Sequence, residues 1–255
     1  MRVSLRIVSF GVVVSCALDS GKAFAQEDRG EVFRSMHRNV ESPQNFAFEL
    51  RFSPFLPEVD SDPLLNGQTP FATIFGSSKT IMIGAEGDWQ AVRIPHLGTF
   101  GPGVGIGYAD FSGNAQLLTG GASGETTTLE IYPMYAVGVL RADVLWREVH
   151  VPIVPYLKFG VAAAFWRASN TLGTSYYEGE AGRGYTLGTQ FALGVGFNLN
   201  VLDDIAARSF DEDLGVNNTY VFGEWTRSDL TGLGIQGDPL RVGGTYWTLG
   251  IAFEF

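Results

Sequence analysis

The side chains with the greatest capacity for chemistry are charged residues inside otherwise apolar stretches. Each charge alternates with large apolar residues, so the charges share the face opposite to phenylalanine, leucine and tryptophan. Ionised groups in an enclosed space must be paired or hydrated, because isolated burial costs several kcal/mol. We predict an inward-facing charge network that consists of Glu49, Arg51, Glu86, Asp88, Glu130, Lys158, Glu224 and Glu254.

Catalytic groups are scarce. A hydrolase needs a nucleophile, a base and an orienting acid that converge, and the chain has only 3 histidines. His37 precedes the alternating region, and His96 and His150 fall in connections that we place away from the long loops. We therefore predict that the protein is not an enzyme and has no cofactor.

Acidic residues in the first long loop offer oxygen ligands of the kind that Ca²⁺ and Mg²⁺ prefer. Glu58, Asp60 and Asp62 alternate there, but they lack the spacing of an EF-hand. A solvated acidic loop explains them, so no metal site is predicted.

Composition excludes several classes of function. Charged residues make up 17% of the chain and apolar residues 45%, with 33 glycines, which favours β-structure. The net charge of -10 argues against nucleic acid as a partner, because phosphate binding needs clustered Lys and Arg. A single cysteine cannot form a disulfide framework or a CxxC metal site.

The amino-terminal segment is typical of an export signal. Two arginines precede an apolar stretch at 7–18, and Ala23-Phe24-Ala25 forms a small-x-small cleavage site. We predict a signal peptide at 1–25, with lipoprotein acylation at Cys16 as the alternative. Residues 26–44 are polar without a clear period, which predicts a periplasmic lead-in.

The remaining chain alternates with a period of two. Phenylalanine, leucine, isoleucine, valine and tryptophan occupy one face, and glycine, alanine, threonine and isolated charges occupy the other. This pattern predicts β-strands. Eight segments carry it: 45–55, 79–92, 99–111, 126–140, 154–166, 185–198, 217–227 and 246–255.

The composition of the two faces distinguishes a membrane barrel from a soluble β-domain. Water-facing strand positions usually carry Lys, Glu, Thr or Arg, whereas the small face here suits the crowded lumen of a narrow barrel. The large face would contact lipid, and the strand lengths of about 10 to 14 residues suffice to cross a bilayer. We predict an all-β, eight-stranded antiparallel transmembrane β-barrel at 45–255, closed because hydrocarbon cannot satisfy an open edge.

Connection lengths predict the orientation of the barrel. With the amino terminus in the periplasm, the long polar loops are outside, at 56–78, 112–125, 167–184 and 228–240. The inner connections are then 93–98, 141–153 and 199–216, the last with room for a short amphipathic helix.

The carboxyl terminus resembles the outer-membrane assembly signal, a polar residue, a glycine and two aromatic residues that end the chain. The matching residues are Thr248, Gly250, Phe253 and Phe255. The resemblance implies that the barrel-assembly machinery recognises the last strand.

Further stretches resemble a family of small outer-membrane barrels from myxobacteria and related Gram-negative bacteria. The resemblance covers about 45–255 and implies a fold and an outer-membrane location without an established activity. It rests on 53–60 (SPFLPEVD), 70–71 (PF), 74–76 (IFG), 94–96 (IPH), 151–158 (VPIVPYLK) and 215–220 (GVNNTY).

From these observations we expect a structural or surface-interaction protein whose outer loops carry the function. Side chains nearly fill the lumen of an eight-stranded barrel, so the polar residues would close it. The alternative is a narrow channel or transporter for a small solute or lipid. The expected partners are outer-membrane lipid and lipopolysaccharide, with the chain as a monomer.

Overall fold

The computed structural model describes residues 45–116, 122–171, 173–177, 180–202 and 214–255. The predicted signal peptide at 1–25 and lead-in at 26–44 lie outside these residues. Most of the segment in which we expected an amphipathic helix, 203–213, also lies outside them.

Eight long strands form the molecule. Each pairs in antiparallel fashion with the next along the chain, and β8 pairs with β1, so the sheet closes on itself. The predicted all-β, eight-stranded antiparallel barrel is confirmed. The strands are β1 (Phe46–Phe55), β2 (Thr80–Trp89), β3 (Gly98–Gln116), β4 (Ala122–Arg141), β5 (Ile153–Asn170), β6 (Arg183–Asn198), β7 (Asn218–Asp229) and β8 (Gly244–Glu254).

The connections hold short elements. Two helices are α1 (Pro70–Phe75) and α2 (Val144–Arg147). Among the described residues no helix has the length and apolarity to cross a membrane. Turns of 3-10 helix lie at Val59–Ser61, Pro63–Leu65, Leu199–Val201 and Gly232–Gly234, and two- or three-residue strands at Val92–Ile94, Gly173–Thr174, Tyr176–Tyr177 and Glu180–Ala181.

The alternation of the sequence is reproduced in burial. Along β1, exposed and buried residues alternate without exception, because successive side chains of a strand point to opposite faces. Phe46, Phe48, Leu50 and Phe52 are exposed, whereas Glu49 is buried in the lumen. The apolar side chains are therefore outside and the charges inside.

Strand length divides the barrel into two halves. The strands β1, β2, β7 and β8 have 10 to 12 residues. In contrast, β3 to β6 have 16 to 20. Much of the loop predicted at 112–125 is therefore strand, with pairs such as Ser112 and Thr128. The polar residues at 112–116 lack apolar alternation, which is why the sequence pattern predicted a loop there.

The two ends of the barrel differ in their connections. The terminal end holds Asn45 and Phe255, whose backbones are hydrogen-bonded to each other, and the connections at 90–97, 142–152 and 199–217. The loop end holds the first loop (56–79), the connection between β3 and β4, and the connections at 171–182 and 230–243.

Candidate functional site

The exterior of the barrel is apolar between two aromatic levels. On β3 the outward side chains run from Phe100 through Val104 and Ile106 to Tyr108, and all four are exposed. These eight steps span about 26 Å along the strand, or about 20 Å in height at a tilt of about 40°.

Aromatic residues near the loop end form a row across four strands. Tyr108 and Tyr132 have ring centroids 5.2 Å apart, Tyr132 lies opposite Phe165, and Phe165 lies opposite Tyr185. We call these four residues the aromatic row. An apolar band bounded by aromatic residues on an even-stranded closed barrel is the arrangement of outer-membrane proteins. The chain is therefore an outer-membrane β-barrel, as predicted.

Lys158 is at the centre of the charge network in the lumen. It has no solvent exposure, and its Nζ lies 2.9 Å from Glu49 Oε2, 2.5 Å from Glu86 Oε1 and 3.3 Å from Glu224 Oε2. An ammonium group offers three donors. Here the three donors face carboxylates on β1, β2 and β7, so a single side chain contacts three other strands of the barrel.

Two arginines complete the network. Arg51 pairs with the same three carboxylates as Lys158, at 2.5 Å from Glu49 and 2.9 Å from Glu86, and also with Glu224. Arg141 donates to Glu49 at 2.7 Å and to Asp88. We call Glu49, Arg51, Glu86, Asp88, Arg141, Lys158 and Glu224 the lumen network. Its four carboxylates and three cations nearly balance, as burial demands.

Glycines in the lumen make room for aromatic rings around this network. A Cβ on Gly105 would lie 2.2 Å from Tyr135 Cζ, and one on Gly194 would lie 2.2 Å from Tyr156 Cζ. Each ring therefore lies across the glycine opposite it on the neighbouring strand. Tyr135 thereby reaches Glu86 Oε2 with its hydroxyl, at 2.6 Å.

Glu254 and Glu130 differ from the other predicted network residues. Glu254 is buried near the terminal end and accepts hydrogen bonds from Gln90 at 2.8 Å and Tyr220 at 3.0 Å. The expectation that Glu130 faces inward is not met. Its strand neighbours Leu129 and Ile131 are buried in the lumen, so Glu130 lies on the exterior face.

Arg141 is the network residue that the sequence analysis missed. We assigned it to an inner connection, but β4 continues through it and its side chain is buried. The sequence nevertheless contained a signal, because residues two or four positions apart on a strand share a face. Arg141 is two residues beyond Val139 and four beyond Val137, both of which face the lumen.

The carboxylates of the lumen are engaged by cations of the chain. Oxygens of Glu49, Glu86 and Asp88 lie within 4.8 Å of one another, a spacing compatible with a metal ion. Arg51, Arg141 and Lys158 already contact these carboxylates. The geometry is that of a salt-bridge cluster.

The acidic residues of the first loop have structural partners. Asp60 accepts the backbone N–H groups of Phe71 and Ala72, both at 2.8 Å, at the start of α1. Asp62 accepts the N–H of Leu64, and Glu58 pairs with Arg227 at 2.6 Å. These contacts hold the loop in a defined conformation.

That conformation places apolar residues in the mouth of the barrel. Val59 and Phe71 are buried in a cluster with inward-facing residues of the strands, among them Phe55 and Phe111. The rings of Phe71 and Phe111 are 5.1 Å apart with an edge-to-face geometry. The lumen cavity beside Arg51 has a volume of about 20 Å³, which is room for about one water molecule.

The residues of the carboxyl-terminal motif contribute to the barrel itself. Thr248 is buried and shares a hydrogen bond of 2.8 Å with Ser53, and Gly250 leaves room for the ring of Phe222. Phe253 and Phe255 lie on the exterior face of the β8 segment. Their role as an assembly signal stays a prediction.

The two described histidines lie at the terminal end. His96 Nδ1 is 3.0 Å from Glu148 on an exposed surface, and His150 follows α2 in the next connection. This is the placement that we expected. His37 lies outside the described residues.

The chain matches no protein-family profile and no protein with a curated description. Among solved structures it is similar to Ail, the attachment invasion locus protein of Yersinia pestis. That comparison gives a TM-score of 0.40 and 11% identity over 83% of this chain and 97% of the other. It is also similar to the N-terminal β-barrel domain of Pseudomonas aeruginosa OprF, with a TM-score of 0.34 and 11% identity over 83% and 98% of the two chains.

Proposed function

We propose that the protein is a closed outer-membrane scaffold of a Gram-negative bacterium that presents a binding surface at its loop end, with that end outside the cell. The observation that carries this proposal is the closure of the lumen by the first loop and the lumen network. A barrel that is filled along its axis offers its exposed surfaces for binding and little space for transport.

Three layers of the lumen support closure. The apolar cluster around Phe71 fills the loop end, the lumen network fills the middle, and a cluster around Tyr156, Tyr220 and Phe222 fills the terminal end. A solute would have to displace side chains from all three layers. This arrangement favours a scaffold over the alternative, a narrow channel or transporter.

Exposed apolar residues support an interaction role for the loop end. Ile235 is 76% exposed, Tyr176 71% and Leu64 64%, in connections that extend beyond the aromatic row. Exposed apolar side chains at the loop end are available for contact with a partner. The rigid barrel below holds these connections in place, as scaffolds of binding loops do.

Two further partners follow from the same proposal. The apolar exterior would be surrounded by outer-membrane lipid and lipopolysaccharide, and the barrel-assembly machinery would recognise Phe255 during biogenesis.

We infer a monomer without enzymatic activity. The location of His96 and His150 away from the loop end supports the absence of catalysis there.

Conductance in planar bilayers tests closure. We expect no steady, porin-sized current from the wild-type protein, and a Phe71→Ala variant tests whether the first loop contributes to the seal. A steady large current through the wild-type barrel would contradict the scaffold and favour the channel.

Site-specific crosslinking on intact cells tests the binding surface. A photoreactive residue in place of Ile235 is expected to yield a discrete crosslinked species, whereas one in place of the exposed Val149 at the terminal end should not yield that species. Identical products from both positions, or none from either, would contradict a role specific to the loop end.

A further inference from the structure

A line of four charges crosses the exterior of β3 to β6. Asp110 lies directly opposite Glu130, Glu130 opposite Arg167, and Arg167 opposite Arg183. All four side chains point outward, because the buried Ala109 and Ile131 and the partly buried Ala168 pack inward next to them in the chain, and Arg183 is exposed. We call these four residues the charged row.

The order of charges in this row is unfavourable for an isolated protein. Asp110 faces Glu130 and Arg167 faces Arg183, and like charges directly opposite on a sheet destabilise it. The middle pair of the row, Glu130 and Arg167, is the one pair of opposite sign. Within the described residues, no ion pair of 4 Å or less involves any of the four. Arg167 makes one hydrogen bond, to Thr174 at 3.2 Å. The row therefore has unmet capacity for an anion at one end and a cation at the other.

The position of the row relative to the membrane is given by strand register. Asp110 is two residues beyond Tyr108, Glu130 two before Tyr132, Arg167 two beyond Phe165, and Arg183 two before Tyr185. Each charge is thus the next outward residue after a member of the aromatic row, toward the loop end. Aromatic residues mark the interface of the bilayer, so the charged row is at the level of lipid headgroups.

We propose that the charged row binds the phosphorylated headgroup of a lipid in the outer leaflet. Arg167 and Arg183 bind the phosphate oxygens, for which the planar guanidinium group is suited. Asp110 and Glu130 bind a divalent cation through their carboxylates, and this cation bridges to a second phosphate. Both like-charge pairs are neutralised by this arrangement.

The inference depends on the proposed orientation, with the loop end outside, and on the membrane placement. Its test therefore includes a separate check of insertion. Heat-modifiable migration on gels reports a folded barrel for every variant, and loss of this property would concern the scaffold and not the lipid site.

The experiment measures binding of lipid A, which carries phosphates, to the detergent-solubilised full chain by native mass spectrometry, with and without Mg²⁺. The variants are Arg167→Gln with Arg183→Gln, and Asp110→Asn with Glu130→Gln. The matched control is Arg93→Gln with Arg147→Gln, which removes two partly exposed arginines at the terminal end.

We expect the Arg167 and Arg183 variant to bind lipid A at least about tenfold more weakly, the effect of losing roughly one charge-assisted hydrogen bond. Lysine at both positions should restore part of the binding, because it keeps the charge. In the Asp110 and Glu130 variant, Mg²⁺ should no longer strengthen the binding of lipid A, whereas the binding measured without Mg²⁺ should be unchanged. The control should bind as the wild type does.

Four results would overturn the proposal. One is wild-type affinity in the Arg167 and Arg183 variant, and another is an equal loss in the terminal-end control. The third is undiminished binding of lipid A from which the phosphates have been removed. Displacement of lipid A by inorganic phosphate at equal concentration would also reject a lipid headgroup as the occupant.

Discussion

The lumen network and the charged row contain the same kinds of side chain under opposite conditions. Inside the barrel, Lys158 contacts three carboxylates and each network acid contacts at least one cation. Outside, Asp110 faces Glu130 and Arg167 faces Arg183. The difference shows that burial imposes pairing, whereas an exposed surface does not.

This contrast has an energetic basis. Removing one partner from a buried pair leaves a charge without compensation, at a cost of about 3 to 5 kcal/mol. An exposed charge is screened by water and salt, and exposed pairs contribute about 0 to 1 kcal/mol. The same substitution should therefore have very different effects in the two regions.

The largest effect is expected for Lys158→Met. This change removes the ammonium group that contacts Glu49, Glu86 and Glu224, and we expect the free energy of unfolding to fall by about 3 to 5 kcal/mol. Urea unfolding in lipid vesicles measures it. Arg183→Met, on the exterior, is the control and should change this free energy by less than about 1 kcal/mol. Equal losses in both variants would remove the distinction between the regions.

A smaller effect is expected from crowding inside the lumen. Gly105→Ala places a methyl group against the ring of Tyr135, and overpacking of this kind costs about 1 to 3 kcal/mol. Gly87→Ala is the matched control, because Gly87 is on the exterior and a Cβ there would meet nothing within 4 Å. A midpoint of urea unfolding as high for Gly105→Ala as for the control would show that the lumen adapts easily.

An effect of intermediate size is expected at the part of β6 that extends beyond the end of β7. The side-chain amide of Gln236 accepts from Leu187 N at 2.7 Å and donates to Tyr185 O at 3.1 Å, in place of a neighbouring strand. We expect Gln236→Ala to lower the unfolding free energy by about 1 kcal/mol. Hydrogen exchange at the Leu187 amide should accelerate, and an unchanged rate would contradict this role.

The smallest effect should have the opposite sign. Asp110→Asn removes one of two facing acids from the charged row, so the free energy of unfolding should rise by about 0.2 to 1 kcal/mol at low salt and without divalent cations. Added NaCl should reduce the gain, since salt screens exposed charges. A decrease in stability would mean that Asp110 has a favourable partner under these conditions.

The sequence was sufficient for the number of strands and for most of the interior, but not for the full length of β3 to β6. Alternation identified the faces of β1 and β2, so Glu49, Arg51, Glu86 and Asp88 were placed correctly in the lumen. It was less informative in β4, where large apolar residues occur on both faces, with Leu129 and Ile131 in the lumen and Tyr132 and Met134 outside. Glu130 was therefore assigned inward by its charge alone.

Pairing between distant residues could not be read from the sequence. Alternation gives the face of a residue but not its partner across the lumen, which depends on strand register around the whole barrel. The contact of Arg51 with Glu224 and the position of Arg141 beside Asp88 follow from this register. The packing of Phe71 into the mouth depends on the hydrogen bonds that Asp60 accepts at the start of α1. These bonds depend on the conformation of the loop, which the sequence pattern does not show.

The lumen network also has a consequence for the order of assembly. Arg51 and Glu224 are 173 positions apart in the chain, and contacts of such long range form late. A half-inserted intermediate that lacks β7 would retain three carboxylates and three cations of the network, but Arg51 and Lys158 would each lack their contact with Glu224. The two contacts to Glu224 therefore form only after β7 has joined the sheet, so the network is completed late, when the ring closes.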